Sequence, residues 1–103
     1  MDKMLLRKVC ELKALHQGVA LVTIINTKGS TPRKVGAAMI VEDNGKIWGT
    51  IGGGCGEAEV RQRALLAMDE KKSCIHKVNL LNEMAAEDGM VCGGVMEFFI
   101  QVI

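Results

Sequence analysis

The sequence predicts an α+β fold: a mixed or antiparallel sheet of about five strands packed with two main helices. Three observations predict it. Two stretches carry apolar residues at helical spacing, one near the N-terminus and one in mid-chain. Five other stretches are short, β-branched or alternating, and the order reads α-β-β-β-α-β-β. Asn44-Gly45, between two of them, is the strongest short hairpin signal, so at least one neighbouring pair is antiparallel.

Residues 2–16 read as a helix. Leu5, Val9 and Leu12 recur on one face among Lys3, Lys8, Glu11 and Lys13, and Gly18 stops it. Met4 and Leu15 are expected to widen the buried stripe. Residues 19–25, VALVTII, form an apolar β-branched run, expected as a strand covered on both faces. Residues 26–35 read as a loop punctuated by Gly29 and Pro32. Residues 36–41 and 46–51 are strands joined by the Asn44-Gly45 turn, and Trp48 is expected to fill the sheet core. Residues 57–71 read as a helix, with Val60, Ala64, Ala67 and Met68 on one face. A strand over 74–81, an irregular segment over 82–94 and a last strand over 95–103 complete the chain. In the last strand Met96, Phe98, Ile100 and Val102 alternate with Glu97 and Gln101. An apolar strand at the end of a chain is normally tied into a sheet or covered by a partner, since a free apolar edge aggregates. That points to a homodimer or to docking on another protein.

The 103 residues are expected to form a single domain, 1–103. A net charge of +1 gives no electrostatic case for binding nucleic acid or a membrane surface. No apolar run approaches the roughly 20 residues of a membrane span. The charged opening MDKMLLRKVCELK has no signal-peptide core, so a cytoplasmic protein with reduced thiols is expected. The four cysteines include no C-x-x-C, which argues against a structural zinc site.

Three loops carry candidate chemistry. The first is Gly52-Gly53-Gly54-Cys55-Gly56-Glu57, between a strand and a helix. Glycines let backbone N–H groups approach a ligand, and a helix N-terminus adds unpaired donors and partial positive charge. That is an anion cradle, and its field would lower the pKa of Cys55. The run is neither G-x-G-x-x-G nor a P-loop, and Glu57 and Glu59 in the first turn would repel phosphate unless they point away. It describes equally a glycine-rich turn around a small packed cysteine. The second is Gly89-Met90-Val91-Cys92-Gly93-Gly94, which alone reads as a glycine bulge entering a strand. Were the two loops neighbours, two thiols would flank one glycine-walled pocket, a setting for a soft metal or for sulfur transfer. The third, Lys28-Gly29-Ser30-Thr31-Pro32-Arg33, offers hydroxyls and a guanidinium suited to phosphate or carboxylate. Its Ser and Thr also suit bonding to their own backbone.

Taken together, GVALVTIINTKGSTPRKVGAAMIV, GTIGGGCGEAEV and GMVCGG resemble the N-terminal domain of the XdhC/CoxI family, in that family's order, from about Gly18 to about Phe99. Members are accessory proteins that mature molybdenum hydroxylases such as xanthine dehydrogenase and carbon monoxide dehydrogenase. The resemblance implies a chaperone that transiently binds molybdenum cofactor (molybdopterin), works with a cysteine desulfurase and delivers to the hydroxylase apo-enzyme. It does not imply turnover of a free small molecule. It places cofactor contacts on Gly29, Ser30, Arg33, Gly52, Gly53, Gly54, Cys55, Glu57, Cys92, Gly93 and Gly94, with Cys55 and Cys92 also at the metal. Many relatives carry a bulky apolar residue at the place of Gly56, and typical relatives continue into a second, Rossmann-like domain. This chain would be a stand-alone version or the partner of such a domain supplied in trans. Two further functions are weighed beside this one. One is a non-catalytic interaction or oligomerisation module using the last strand; the other is a thiol protein carrying persulfide on Cys55 during cofactor sulfuration.

Overall fold

Asp2 starts the first helix: its Oδ1 accepts from Met4 N at 2.8 Å, meeting one of the donors that a helix start leaves unpaired. The computed structural model describes residues 2–80 and 93–103, with residue 55 by its backbone. The elements are α1 (Lys3–Ala14), β1 (Val19–Lys28), β2 (Ala38–Glu42), β3 (Ile47–Gly49), α2 (Gly54–Glu70), β4 (Cys74–Asn79) and β5 (Val95–Val102). Their order is the predicted one. The sheet runs β3-β2-β1-β5-β4, and every neighbouring pair is antiparallel.

Two helices cover opposite faces. α2 lays Val60, Ala64 and Ala67 on the face formed by Ala20, Val22, Ile24, Met39, Val41, Phe98 and Ile100. α1 covers part of the other face, with Leu5, Leu12 and Val9 against Val19, Leu21 and Ile40. Residues 19–22 are therefore buried on both sides, as an unbroken apolar run requires. The stripe on α1 is narrower than expected: Met4 is 78% and Leu15 72% exposed. Leu5, Val9 and Leu12 stand at i, i+4 and i+7, which suffices for a helix resting on only part of a sheet face.

Three further expectations are corrected. β1 continues through Lys28, past the loop start expected at residue 26, because β5 pairs with it out to Val95. A bulge between Ile24 and Asn26 interrupts that pairing and leaves Ile25 40% exposed. β5 lies between β1 and β4, so the last strand presents no free edge; among the described residues β3 and β4 are the edges. Its apolar stripe of Met96, Phe98 and Ile100 is core and is not available to a partner. Trp48 is half-buried beside α1 rather than in the centre of the sheet, with Lys8 Nζ and Lys46 Nζ at 4.1 and 4.4 Å from its ring centroid.

The β2–β3 turn forms as Asn44-Gly45 dictates. Gly45 has φ +89°, and Asn44 Oδ1 accepts from Lys46 N at 2.9 Å. α2 holds this turn through Arg61 Nε, which donates to Gly45 O at 2.7 Å.

Candidate functional site

The ends of β1 and β3 and the starts of β2 and β5 lie at one end of the sheet, a consequence of antiparallel pairing. The segment after β1 holds Gly29, Ser30 and Arg33, the segment after β3 holds Gly52 and Gly53, and Gly93 and Gly94 precede β5. A Cβ placed on Gly52 would lie 2.5 Å from Pro32 Cγ. A Cβ on Gly94 would lie 2.6 Å from Thr31 Cγ2 and 2.7 Å from Lys28 O, and would also strike Ser30 O. A Cβ on Gly29 would stand 3.0 Å from Gly93 O. The segment containing Ser30 and Pro32 is thus clasped between the other two, and glycine allows each close approach.

Its anchoring is local. Gly36 N donates to Ile24 O and Ile24 N to Ala37 O, both at 2.9 Å, closing the segment at its base. Thr31 Oγ1 donates to Arg33 O at 3.0 Å, so this hydroxyl serves its own backbone. Gly94 O accepts from Leu80 N at 2.8 Å, tying the β5 entry to the end of β4.

The glycine run enters α2 earlier than the sequence suggests. α2 begins at Gly54 rather than residue 57, so Cys55 and Gly56 belong to its first turn. Gly52, Gly53 and Gly54 have φ of +128°, +72° and +69°, a backbone path that residues with a Cβ rarely take. Glu57 sets where the helix starts. Its Oε1 accepts from Thr50 Oγ1 at 2.9 Å and from Ile51 N at 3.2 Å, and Thr50 Oγ1 in turn accepts from Gly52 N at 3.0 Å. The carboxylate is therefore turned back into the strand-to-helix turn. Gly52 N–H is engaged by Thr50, so of the three glycine amides only those of Gly53 and Gly54 have no acceptor among the described residues. Among the described residues no side chain caps this helix start. Thr50 is the functional residue that sequence reasoning missed, because no periodicity reports a hydroxyl that bridges an acid seven residues on to an amide two residues on.

Removal of this latch has a measurable cost. Glu57→Ala loses two hydrogen bonds to a charged acceptor at a half-buried site, so stability should fall by about 1.5 kcal/mol. Glu57→Gln, which keeps a carbonyl acceptor, should lose about half as much. Urea unfolding of both variants beside the parent checks it; an equal loss for the two would exclude the acceptor role.

Arg33 is exposed and forms no hydrogen bond or ion pair through its side chain among the described residues. It lines a cavity of about 290 Å³ with Thr50, Gly36, Ala37, Leu5 and Asp2. Among the described residues the arrangement offers an unpaired guanidinium on one side of the junction and an uncapped helix start on the other. Both attract anions. Cys92 lies outside the described residues, as does the side chain of Cys55, and the expected pairing of the two thiols falls on these. Among the described residues no group of three His, Cys, Asp or Glu side chains stands close enough to hold a metal ion. His76 bonds Glu59 through Nε2, joining β4 to α2, and His16 is exposed beyond α1. No helix of the described residues is long and apolar enough to cross a membrane.

The family model described as "XdhC and CoxI family" matches residues 12–79. The chain is 40% identical over 83 residues to "Uncharacterized protein YqeB" of Escherichia coli (strain K12), covering 81% of this chain and 15% of that protein. It is 36% identical over 64 residues to the "Molybdenum cofactor insertion chaperone PaoD" of the same organism, covering 62% of this chain and 20% of that protein. It is 34% identical over 78 residues to a probable xanthine dehydrogenase subunit of Bacillus subtilis (strain 168), covering 76% of this chain and 24% of that protein. The chain thus spans less than a quarter of the length of these relatives. A crystal structure of a xanthine dehydrogenase from Bacillus halodurans shares the fold, with a TM-score of 0.74 at 24% identity over 93% of this chain and 29% of that one.

Proposed function

This chain belongs to the XdhC and CoxI family, and from that premise we propose that it binds molybdenum cofactor transiently and serves its insertion into a molybdenum hydroxylase. The observation that carries the proposal is the junction itself: Arg33 and the start of α2, unpaired and uncapped among the described residues, stand on two segments that touch through Gly52 and Pro32. The donor set suits the cargo. The cofactor carries a phosphate, a pterin and a dithiolene-bound metal. Arg33 and the amides of Gly53 and Gly54 would hold its anionic groups, and Ser30 and Gly29 border the same segment. Gly93 and Gly94 keep that segment in place. Cys55, at the helix start, and Cys92 would meet the metal or the sulfur being delivered. Glu57 and Gly52 act on this reading by shaping the turn. The similarity to PaoD, a molybdenum cofactor insertion chaperone, supports the insertion role. The partners would be the hydroxylase apo-enzyme, a cysteine desulfurase and a Rossmann-like domain of the same family, in the cytoplasm.

The test is retention of molybdenum cofactor by the purified chain, read from pterin fluorescence and molybdenum content. Arg33→Ala should weaken retention about tenfold, the loss of one charge-assisted contact. Cys55→Ala and Cys92→Ala should lower bound molybdenum while pterin remains. Absence of cofactor binding by the parent chain, alone and with the remaining domain of a longer relative supplied, would overturn the proposal.

A further inference from the structure

The bulge at Ile25 re-aims the end of β1. Before it, Ala20, Val22 and Ile24 point into the α2 face. An unbroken strand would send Asn26 and Lys28 the same way, into the core. The extra residue shifts the register, so Asn26 pairs with Glu97 and Lys28 with Val95. These side chains stand on the opposite face, where no described helix packs over β5 and β4. Lys77 of β4 lies directly across β5, in register with Glu97. Asn26, Lys28, Lys77, Val95 and Glu97 line a cavity of about 200 Å³.

The charges in this cavity are unevenly used. Asn26 Nδ2 donates to Glu97 Oε1 at 3.1 Å, which orients the carboxylate and engages one of its oxygens. Neither Lys28 nor Lys77 forms an ion pair with a described carboxylate. Two lysines therefore line the cavity with one carboxylate whose second oxygen has no donor among the described residues. A fully deprotonated anion would be drawn by the lysines and repelled by Glu97. An anion with an acidic proton satisfies all three, because its O–H donates to Glu97 while its charged oxygens meet the lysines.

We propose that the cavity of Asn26, Lys28, Lys77 and Glu97 is a subsite for a protonated oxyanion: hydrogenphosphate or the terminal group of a phosphate monoester. Lys28 and Lys77 supply the charge, and Glu97 selects for the proton. Sulfate, the same shape without a proton, is the discriminated competitor. This site does not depend on the cofactor reading and does not include Arg33.

Titration of the isotope-labelled full chain by NMR at about pH 6, where phosphate monoesters are partly protonated, tests the proposal. Inorganic phosphate should shift the amides of Asn26, Lys28, Lys77 and Glu97 saturably, and sulfate should bind them about tenfold more weakly. The double substitution Lys28→Ala/Lys77→Ala should abolish the effect, while Arg33→Ala should leave it unchanged. Glu97→Gln, able to donate, should bring sulfate level with phosphate. Methyl phosphate distinguishes the sources: tighter binding than inorganic phosphate assigns the site to an ester group, and weaker binding to the free ion. The lysines are exposed, and the amide spectrum of each variant reports its fold. Absence of saturable shifts, equal binding of sulfate and phosphate by the parent, or a preference that survives Glu97→Gln would overturn the proposal. Shifts confined to residues 33 and 53–54 would instead place phosphate at the loop junction and also overturn it.

Discussion

Gly94→Ala is expected to lower the unfolding free energy by about 3 kcal/mol, a large share of what domains of this size hold. The added methyl would strike Ser30 O and meet Lys28 O at 2.7 Å. Both are backbone atoms of a segment pinned at its base by Ile24, so neither rotates away. The loss should appear as a lower urea midpoint, with shifted amides at Ser30 and Thr31. Gly56→Ala is the contrast. A Cβ there would sit 3.5 Å from Leu80 Cδ2 and 3.8 Å from Val78 Cγ1, ordinary contact distances. The position is inside α2, where glycine costs up to about 1 kcal/mol relative to alanine. Gly56→Ala should therefore raise the midpoint. The same sign for both substitutions would contradict the clasped arrangement of the three segments.

Glu42→Ala is the second large effect, expected at about 2 to 3 kcal/mol. Glu42 is 5% exposed, at the end of β2. Its Oε1 accepts from Gln17 Nε2 at 2.6 Å, and its Oε2 accepts from the indole N–H of Trp48. Truncation leaves both donors without that acceptor, at about 1–3 kcal/mol for each buried group. Gln17 is half-buried and also reaches Asp43 Oδ1 at 3.4 Å, so the larger part of the loss falls on the indole. Glu42→Gln should cost about 1 kcal/mol, since one acceptor remains. Urea unfolding gives the magnitudes, and the indole N–H resonance of Trp48 should move upfield in Glu42→Ala. An unmoved resonance would show that the carboxylate does not hold the ring. With Lys8 and Lys46 over that ring, the loss should extend to the packing of α1 on β3.

Much of the fold was legible because local patterns report it. Leu5, Val9 and Leu12 mark the inner stripe of α1, and Val60, Ala64 and Ala67 that of α2. Met96, Phe98 and Ile100 name the buried face of β5, and Asn44-Gly45 the β2–β3 turn. Each rests on residues within one element, where the period of the backbone decides which side chains share a face. The candidate site was legible as three suspicious segments and less so as a place. That the segment with Pro32 rests on Gly52 depends on contact between residues 20 positions apart, and its clasp by Gly94 spans more than 60. No periodicity carries such contacts.

The sequence by itself determined the element order, the α+β class, the antiparallel hairpin and the family. Hydrophobic spacing and turn chemistry are local properties, and the family match over residues 12–79 contains two of the three segments. Only the tertiary structure decided the rest. Antiparallel pairing gathers the three segments at one end of the sheet. The interior place of β5 leaves it no free edge, and α2 covers its apolar stripe. Glu57 turns inward and moves the start of α2 back to Gly54. One inserted residue at Ile25 turns Asn26 and Lys28 from the core side of the sheet to the face opposite α2. These follow from which distant backbones meet, and that is settled by packing the whole chain at once.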